Sequence, residues 1–136
     1  MRPHLQALFI ACSSLDQIEA FYSGMLELQG CGGAFGNYDV FVGMYLTFYE
    51  RKDAQPLYSG WAHQASASQP GLAGLALSIE LPKEHFDRVV KKLFASSIPR
   101  AQDAPEWRGY RWGFTVKDPM GYTVELCTRE KEEGSG

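Results

Sequence analysis

Apolar positions along the chain follow one spacing pattern twice. The run from Gln6 to Cys12 is short, apolar and partly β-branched, and Ser13-Ser14 closes it, which predicts a strand buried on both faces. A helix follows at once. Ser14 with Gln17 three residues on matches a capping box, and Leu15, Ile18, Tyr22, Met25 and Leu26 recur at three- and four-residue steps, so one stripe faces a core. The stretch Gly30 to Gly33 ends that helix. Tyr38 to Val42 and Met44 to Glu50, rich in Tyr, Phe and Val and parted by Gly43, predict two short antiparallel strands.

Residues 51–71 break the pattern. With Pro56, Gly60, Pro70, Gly71 and a Ser/Ala/Gln mixture, the stretch is too long for a simple turn and reads as a functional lid or a mobile linker, with Trp61 and His63 inside it. The order then repeats: an apolar strand Leu75 to Leu81, a helix opened by Pro82, a weak strand over Pro99 to Ala104, and strands Gly109 to Lys117 and Tyr122 to Thr128. Phe86, Val89, Val90, Leu93 and Phe94 give the second helix its buried stripe, and Pro99 disfavours helical geometry at Ile98. Asp118-Pro119-Met120-Gly121 supplies the residues a turn needs between the last two strands. Sequence identity between the halves is negligible, so the repeat rests on element order and apolar spacing.

Composition narrows the class. A chain of 136 residues, 45% hydrophobic, 13% aromatic and 21% charged, suits one packed domain and excludes a disordered polymer. The expected organisation is a single domain over 1–136, with module one at about 5–50, a linker at 51–73, module two at about 74–128 and a disordered tail at 129–136. No apolar run approaches the roughly 20 residues of a membrane-spanning helix, and the run after Met1-Arg2-Pro3-His4 is too brief for a signal-peptide core. Cys12, Cys31 and Cys127 are an odd number without metal-type spacing, which favours reduced thiols, and the chain is expected in the cytoplasm, away from membranes. A net charge of -3 without a basic face argues against a nucleic-acid partner. Gly30-Cys31-Gly32-Gly33 precedes a strand where a phosphate cradle would open a helix, and no Ser-His-Asp pattern with a nucleophile elbow occurs.

Certain local motifs match a known family. Leu15-Asp16-Gln17-Ile18-Glu19-Ala20-Phe21-Tyr22 followed by Met25-Leu26-Glu27-Leu28, Glu106-Trp107-Arg108-Gly109-Tyr110-Arg111, and Asp118-Pro119-Met120-Gly121-Tyr122-Thr123-Val124-Glu125-Leu126 stand in the order of the two modules. Over about Gln6 to Thr128 the chain resembles the vicinal oxygen chelate superfamily of glyoxalase, bleomycin-resistance and extradiol-dioxygenase-like proteins. The resemblance implies an α+β fold, two βαβββ modules forming a curved mixed sheet around a cleft. It also implies a dimer, since members commonly pair with their cavities bordering the partner chain.

Metal-dependent members place one ligand on the first and last strand of each module, and by the resemblance those four places fall on Ala7, Thr47, Ala76 and Glu125. Only Glu125 is a good ligand, whereas zinc, nickel or iron needs three or four N, O or S donors. The expectation is therefore no metal at that site and no cofactor. His4 stands at an odd offset from Ala7 and points to the other face, and His85 lies in the first turn of the second helix; His63, on a loop, is the open candidate for recruiting a metal.

Strand parity then assigns faces, taking Glu125 as inward. Thr123 and Cys127 share its side; if the last hairpin pairs Thr115 with Glu125 across a five-residue turn, Arg111 and Gly113 do too, while Trp112, Phe114, Val116, Val124 and Leu126 pack outward. The same rule turns Tyr45, Thr47 and Tyr49, Ala7, Phe9 and Ala11, and Ala76, Ser78 and Glu80 inward. The alanines either leave room for a ligand or let the modules close tightly. Glu125 is expected to find Arg111, a hydroxyl such as Thr47 or Thr123, or water, because an unpaired buried carboxylate is costly.

Trp61, Trp107 and Tyr110 either stack on a planar ligand or sit in a dimer contact. The leading expectation is a metal-independent homodimer that binds a small drug-like or amphipathic molecule through Ala7, Phe9, Tyr45, Thr47, Tyr49, Ala76, Ser78, Trp107, Arg111, Thr115, Thr123 and Glu125, as non-metal bleomycin-resistance-like members do. The alternatives are a lyase, isomerase or dioxygenase using Glu125 or Glu80 as base or a metal held through His63, and an interaction module whose cleft is filled by its own side chains.

Overall fold

Ser14 opens the first helix: its Oγ accepts the Gln17 N–H at 3.3 Å, supplying one of the donors that a helix start leaves without an internal partner. In the computed structural model, which describes residues 2–31, 36–41, 44–56, 61 and 76–129, this helix belongs to the first of two compact units, Met1–Pro56 and Leu57–Gly136. The expectations for Val42, Gly43 and His63, for most of the linker and for the tail beyond Arg129 lie outside the described residues.

The first unit consists of β1 (Ala7–Cys12), α1 (Leu15–Glu19) continued by a π-helical segment (Ala20–Met25), β2 (Gly36–Phe41) and β3 (Met44–Glu50). Its sheet runs β1-β3-β2, with β1 parallel and β2 antiparallel to β3. Gly30 adds a single bridge to Tyr38 beyond the β2 edge. The helix is not α throughout. Its Leu26 N–H reaches back five residues to the Phe21 carbonyl at 2.9 Å, and this wider turn buries Phe21 with Tyr22 and Leu26, while Leu15 and Met25 of the expected stripe are half-buried. Glu27, at φ 57°, turns the chain before Gly30 is reached, and Leu28 N–H closes on the Tyr22 carbonyl at 2.9 Å. Tyr22 centres the core, its ring 4.7 Å from Phe48 and 4.8 Å from Phe21.

The expectation that β1 is buried on both faces is corrected: Ile10 and Cys12 are buried, but Phe9 is 71% exposed. Alternation along the strand puts Phe9 on the face opposite to Ile10 and Cys12, at the sheet edge.

The second unit consists of β4 (Ala76–Glu80), α2 (Lys83–Phe94), β5 (Glu106–Trp107), β6 (Trp112–Lys117) and β7 (Thr123–Thr128), with sheet order β4-β7-β6-β5. Phe86, Val89, Val90 and Leu93 of α2 are buried, and the Phe94 ring lies 5.2 Å from Phe114 on β6, so the helix covers the face carrying Phe114. The stretch 99–104 is not a strand. It makes one bridge, Arg100 to Val116, flanked by Ala101 N–H to the Thr115 carbonyl at 2.9 Å, and the short strand pairing with β6 forms later, at Glu106–Trp107.

The two units share a register. Along the parallel pair, Ala7 faces Tyr45 and Phe9 faces Thr47 in the first; Ala76 faces Thr123 and Ser78 faces Glu125 in the second. On the antiparallel side Asn37 faces Thr47, and Thr115 faces Glu125. Each unit therefore presents a three-residue row across its sheet, Phe9–Thr47–Asn37 and Ser78–Glu125–Thr115.

Candidate functional site

The turn that sets the second row is fixed by one carboxylate. Asp118 is buried, and its Oδ1 accepts the N–H groups of Met120 and Tyr122, both at 2.9 Å, while Gly121 takes φ 80° and its N–H meets the Asp118 carbonyl at 2.9 Å. Five residues separate Lys117 from Thr123, and that spacing pairs Thr115 with Glu125. Beside the turn, the Lys117 Nζ donates to the Gly121 carbonyl at 3.2 Å and lies 4.8 Å from the centre of the half-buried Trp61 ring. Burial pulls the Lys117 ammonium below the ordinary lysine range, and neighbouring Asp118 offsets part of that pull.

Two arginines reach the row from the β5–β6 hairpin. Arg108 N–H bonds the Arg111 carbonyl at 2.9 Å around a two-residue loop, Gly109-Tyr110, and Gly109 carries φ 91°, the positive angle that such a loop needs at its first position. Residues directly opposite in an antiparallel pair share a face, so Arg108 and Arg111 project together, while the opposed Trp107 and Trp112 project to the other side with ring centres 5.4 Å apart. Trp107, expected to line a ligand site with Glu125, is thus corrected: it stands on the opposite face of the sheet.

The arginines converge on Glu125. Arg111 Nη2 lies 2.9 Å from Oε1, Arg108 Nη1 pairs with Oε2, and Ser78 Oγ donates to Oε1 at 2.8 Å. Glu125 thus finds Arg111 as expected, but its hydroxyl partner is Ser78, from the facing position on β4. Arg108 was not anticipated. The signal for it was available in Arg108-Gly109-Tyr110-Arg111, where a glycine-led two-residue loop sets its flanking residues side by side. Gly113 makes room for it: a Cβ at that position would stand 3.0 Å from Arg108 Cζ and 3.1 Å from its Nε.

Burial separates the carboxylate from its partners. The Glu125 side chain is 6% exposed, whereas those of Arg108 and Arg111 are 27% and 24% exposed, so the arginines are the more accessible members of the cluster. Arg111 Nε and Thr115 Oγ1 are buried without a hydrogen-bond partner among the described residues. Cys127, a free thiol, lies 3.9 Å from Arg111 Nη1 and 3.8 Å from Ser78 Oγ. Thr123 is buried on the Glu125 side, facing Ala76, which is exposed. Glu80 lies at the surface, paired with Arg129 at 2.7 Å beside a shallow depression of about 270 Å³ that Leu81, Pro82 and Thr128 also line.

The matching face of the first unit is nearly free of charge. Thr47 is buried, and its hydroxyl donates to Asn37 Oδ1 at 2.5 Å; Ala7, Tyr45 and Tyr49 are half-buried and Phe9 is exposed.

These side chains do not suit the metal that the family resemblance implies for some members. In the second unit a cation at Glu125 would displace two guanidinium groups or share the carboxylate with them, and Ala76 has no donor; in the first, Ala7 has none and the Thr47 hydroxyl is engaged. Among the described residues no group of three or more His, Cys, Asp or Glu is placed to hold an ion.

No family model and no curated protein matches the sequence. Solved structures do match. A glyoxalase/dioxygenase from Nostoc punctiforme is 16% identical, with a TM-score of 0.72 over 94% of this chain and 92% of its own. The oxidase ChaP-H2 is 15% identical, with a TM-score of 0.68 over 98% of this chain and 99% of its own. The fosfomycin resistance protein FosX from Listeria monocytogenes is 13% identical, with a TM-score of 0.63 over 98% of each chain. The chain therefore has the α+β fold of these glyoxalase/dioxygenase and fosfomycin resistance structures. No helix among the described residues is long and apolar enough to cross a membrane.

Proposed function

We propose that this chain is a metal-independent small-molecule-binding protein of the glyoxalase/bleomycin-resistance type, which sequesters a drug-like or amphipathic ligand. A homodimer in the cytoplasm belongs to the same reading. The observation that carries it is the state of Glu125. Where metal-dependent proteins of this fold use a carboxylate as a ligand, this one is buried under Arg108 and Arg111 and receives the Ser78 hydroxyl. Positive charge already fills the place of a cation, and three donors occupy the carboxylate oxygens, which suits Glu125 to holding arginines better than to abstracting a proton. Glu80, the other candidate base, is exposed and paired with Arg129.

Metal analysis of untagged protein purified without added metal tests this. The expected result is substoichiometric zinc, nickel, manganese and iron, unchanged by Glu125→Ala. Stoichiometric metal that disappears in Glu125→Ala would overturn the proposal.

A further inference from the structure

We infer that Arg108 and Arg111 form an anion-binding subsite that receives a monoanionic oxyanion group, such as a carboxylate or phosphonate, on the ligand. This deepens the binding function proposed above and rests on it.

Charge balance is the first argument. Two guanidinium groups meet one buried carboxylate, so the buried part of the cluster carries a surplus positive charge where water compensates it poorly. Glu106, which shares this face opposite Gly113, is exposed and its charge is screened by solvent. Each guanidinium has five N–H donors, and Glu125 engages one nitrogen of each. Exposure gives the direction: Glu125 is nearly buried and about a quarter of each arginine side chain is accessible, so a ligand reaches the arginines before the carboxylate.

Preorganisation is the second. The hairpin sets the arginines opposite each other, Glu125 ties both, and the bare Gly113 backbone lets the Arg108 guanidinium lie against the strand. Arg111 Cζ also lies 5.0 Å from the centre of the Tyr110 ring, and Tyr110 is 59% exposed, so an aromatic surface flanks the charge. An anion attached to a planar apolar body suits both parts.

The test is titration of the full-length protein with benzoate, methylphosphonate and neutral benzamide at low ionic strength, as purified and after dialysis against a chelator. Saturable binding of benzoate or methylphosphonate that weakens with salt, exceeds that of benzamide and survives the chelator is expected. Arg108→Gln should weaken it by about tenfold, the cost of one charge-assisted hydrogen bond. Gly113→Ala keeps every charge and displaces the Arg108 guanidinium, so it should weaken binding several-fold while a cooperative melting transition is retained. Anion affinity equal to that of benzamide, or unaltered in both variants, overturns the inference. Absence of anion binding in protein shown to be metal-free overturns the inference and leaves metal-independent binding standing. Anion binding abolished by the chelator and restored by metal overturns both.

Discussion

In the first unit the row across the sheet reads Phe9, Thr47, Asn37, and its polar content is one hydroxyl-to-amide hydrogen bond; in the second it reads Ser78, Glu125, Thr115, and a carboxylate there gathers two arginines. The backbone register is the same in both. What differs is the strand beyond the row. Where the described residues of the first unit show the Gly30–Tyr38 bridge, the second has the β5–β6 hairpin, and both arginines come from its tip. The repeated unit thus supplies positions, and the edge hairpin decides whether a position becomes a charged site. A carboxylate in the first row would lack those partners, and the second row without its carboxylate would hold two cations side by side.

That difference is sharpest on removing the central residue of each row. Glu125→Ala leaves two partly buried guanidinium groups facing each other and should cost about 3 kcal/mol of unfolding free energy. Thr47→Ala removes one neutral hydrogen bond and should cost about 1 kcal/mol. Denaturant unfolding of both variants against the parent reads the two losses. Equal losses would mean that the arginines relax into water when the carboxylate is removed, and the second row would then be no more tightly built than the first.

Much of this arrangement is legible in the sequence. Apolar spacing carries the repeat, and the five residues from Asp118 to Tyr122 are enough to place Thr115 opposite Glu125. Side-chain parity assigns Arg111 to that face. Arg108 escapes because parity counted along one strand says nothing about the strand across a hairpin; the loop length has to be read first, and Gly109-Tyr110 gives it. The same step moves Trp107 to the far side with Trp112. The π-helical turn is hidden for another reason: Phe21 and Leu26 stand five apart within a stretch where apolar residues already satisfy three- and four-residue steps, so the wider turn leaves no separate trace. The exposure of Phe9 was masked by a run apolar enough to pass for a strand packed on both sides.

The outer residues of the two rows make the next comparison. Ser78→Ala removes a hydroxyl donor from a buried carboxylate and should cost about 1.5 kcal/mol, in the range for hydrogen bonds to charged groups. Phe9→Ser, at the matching position, exchanges an exposed ring for a hydroxyl and should change unfolding free energy by no more than about 0.5 kcal/mol. The contrast runs against residue size, since the larger side chain is the one that matters less to the fold. A large loss at Phe9, measured at protein concentrations low enough to keep the chain monomeric, would show that its ring is packed in solution.

The smallest effect concerns the residue next along β6, Lys117, whose counterpart in the first unit's register is the exposed Asp39. Lys117 is buried, and that burial lowers its pKa, with Asp118 opposing the shift. The unfolded chain keeps this proton to a higher pH than the folded one, so between the lowered folded value and the ordinary lysine value the unfolded state binds more protons and stability rises with pH. Below that window both states are protonated and the cost of burying the charge is fully present. Lys117→Met removes the titrating group, so the parent should gain stability relative to the variant on going from neutral pH toward the lysine range, along a shallow slope read from denaturant midpoints. Parallel curves would mean that the Gly121 carbonyl and the Trp61 ring hold the ammonium as well as water does, and that burial here costs the charge nothing.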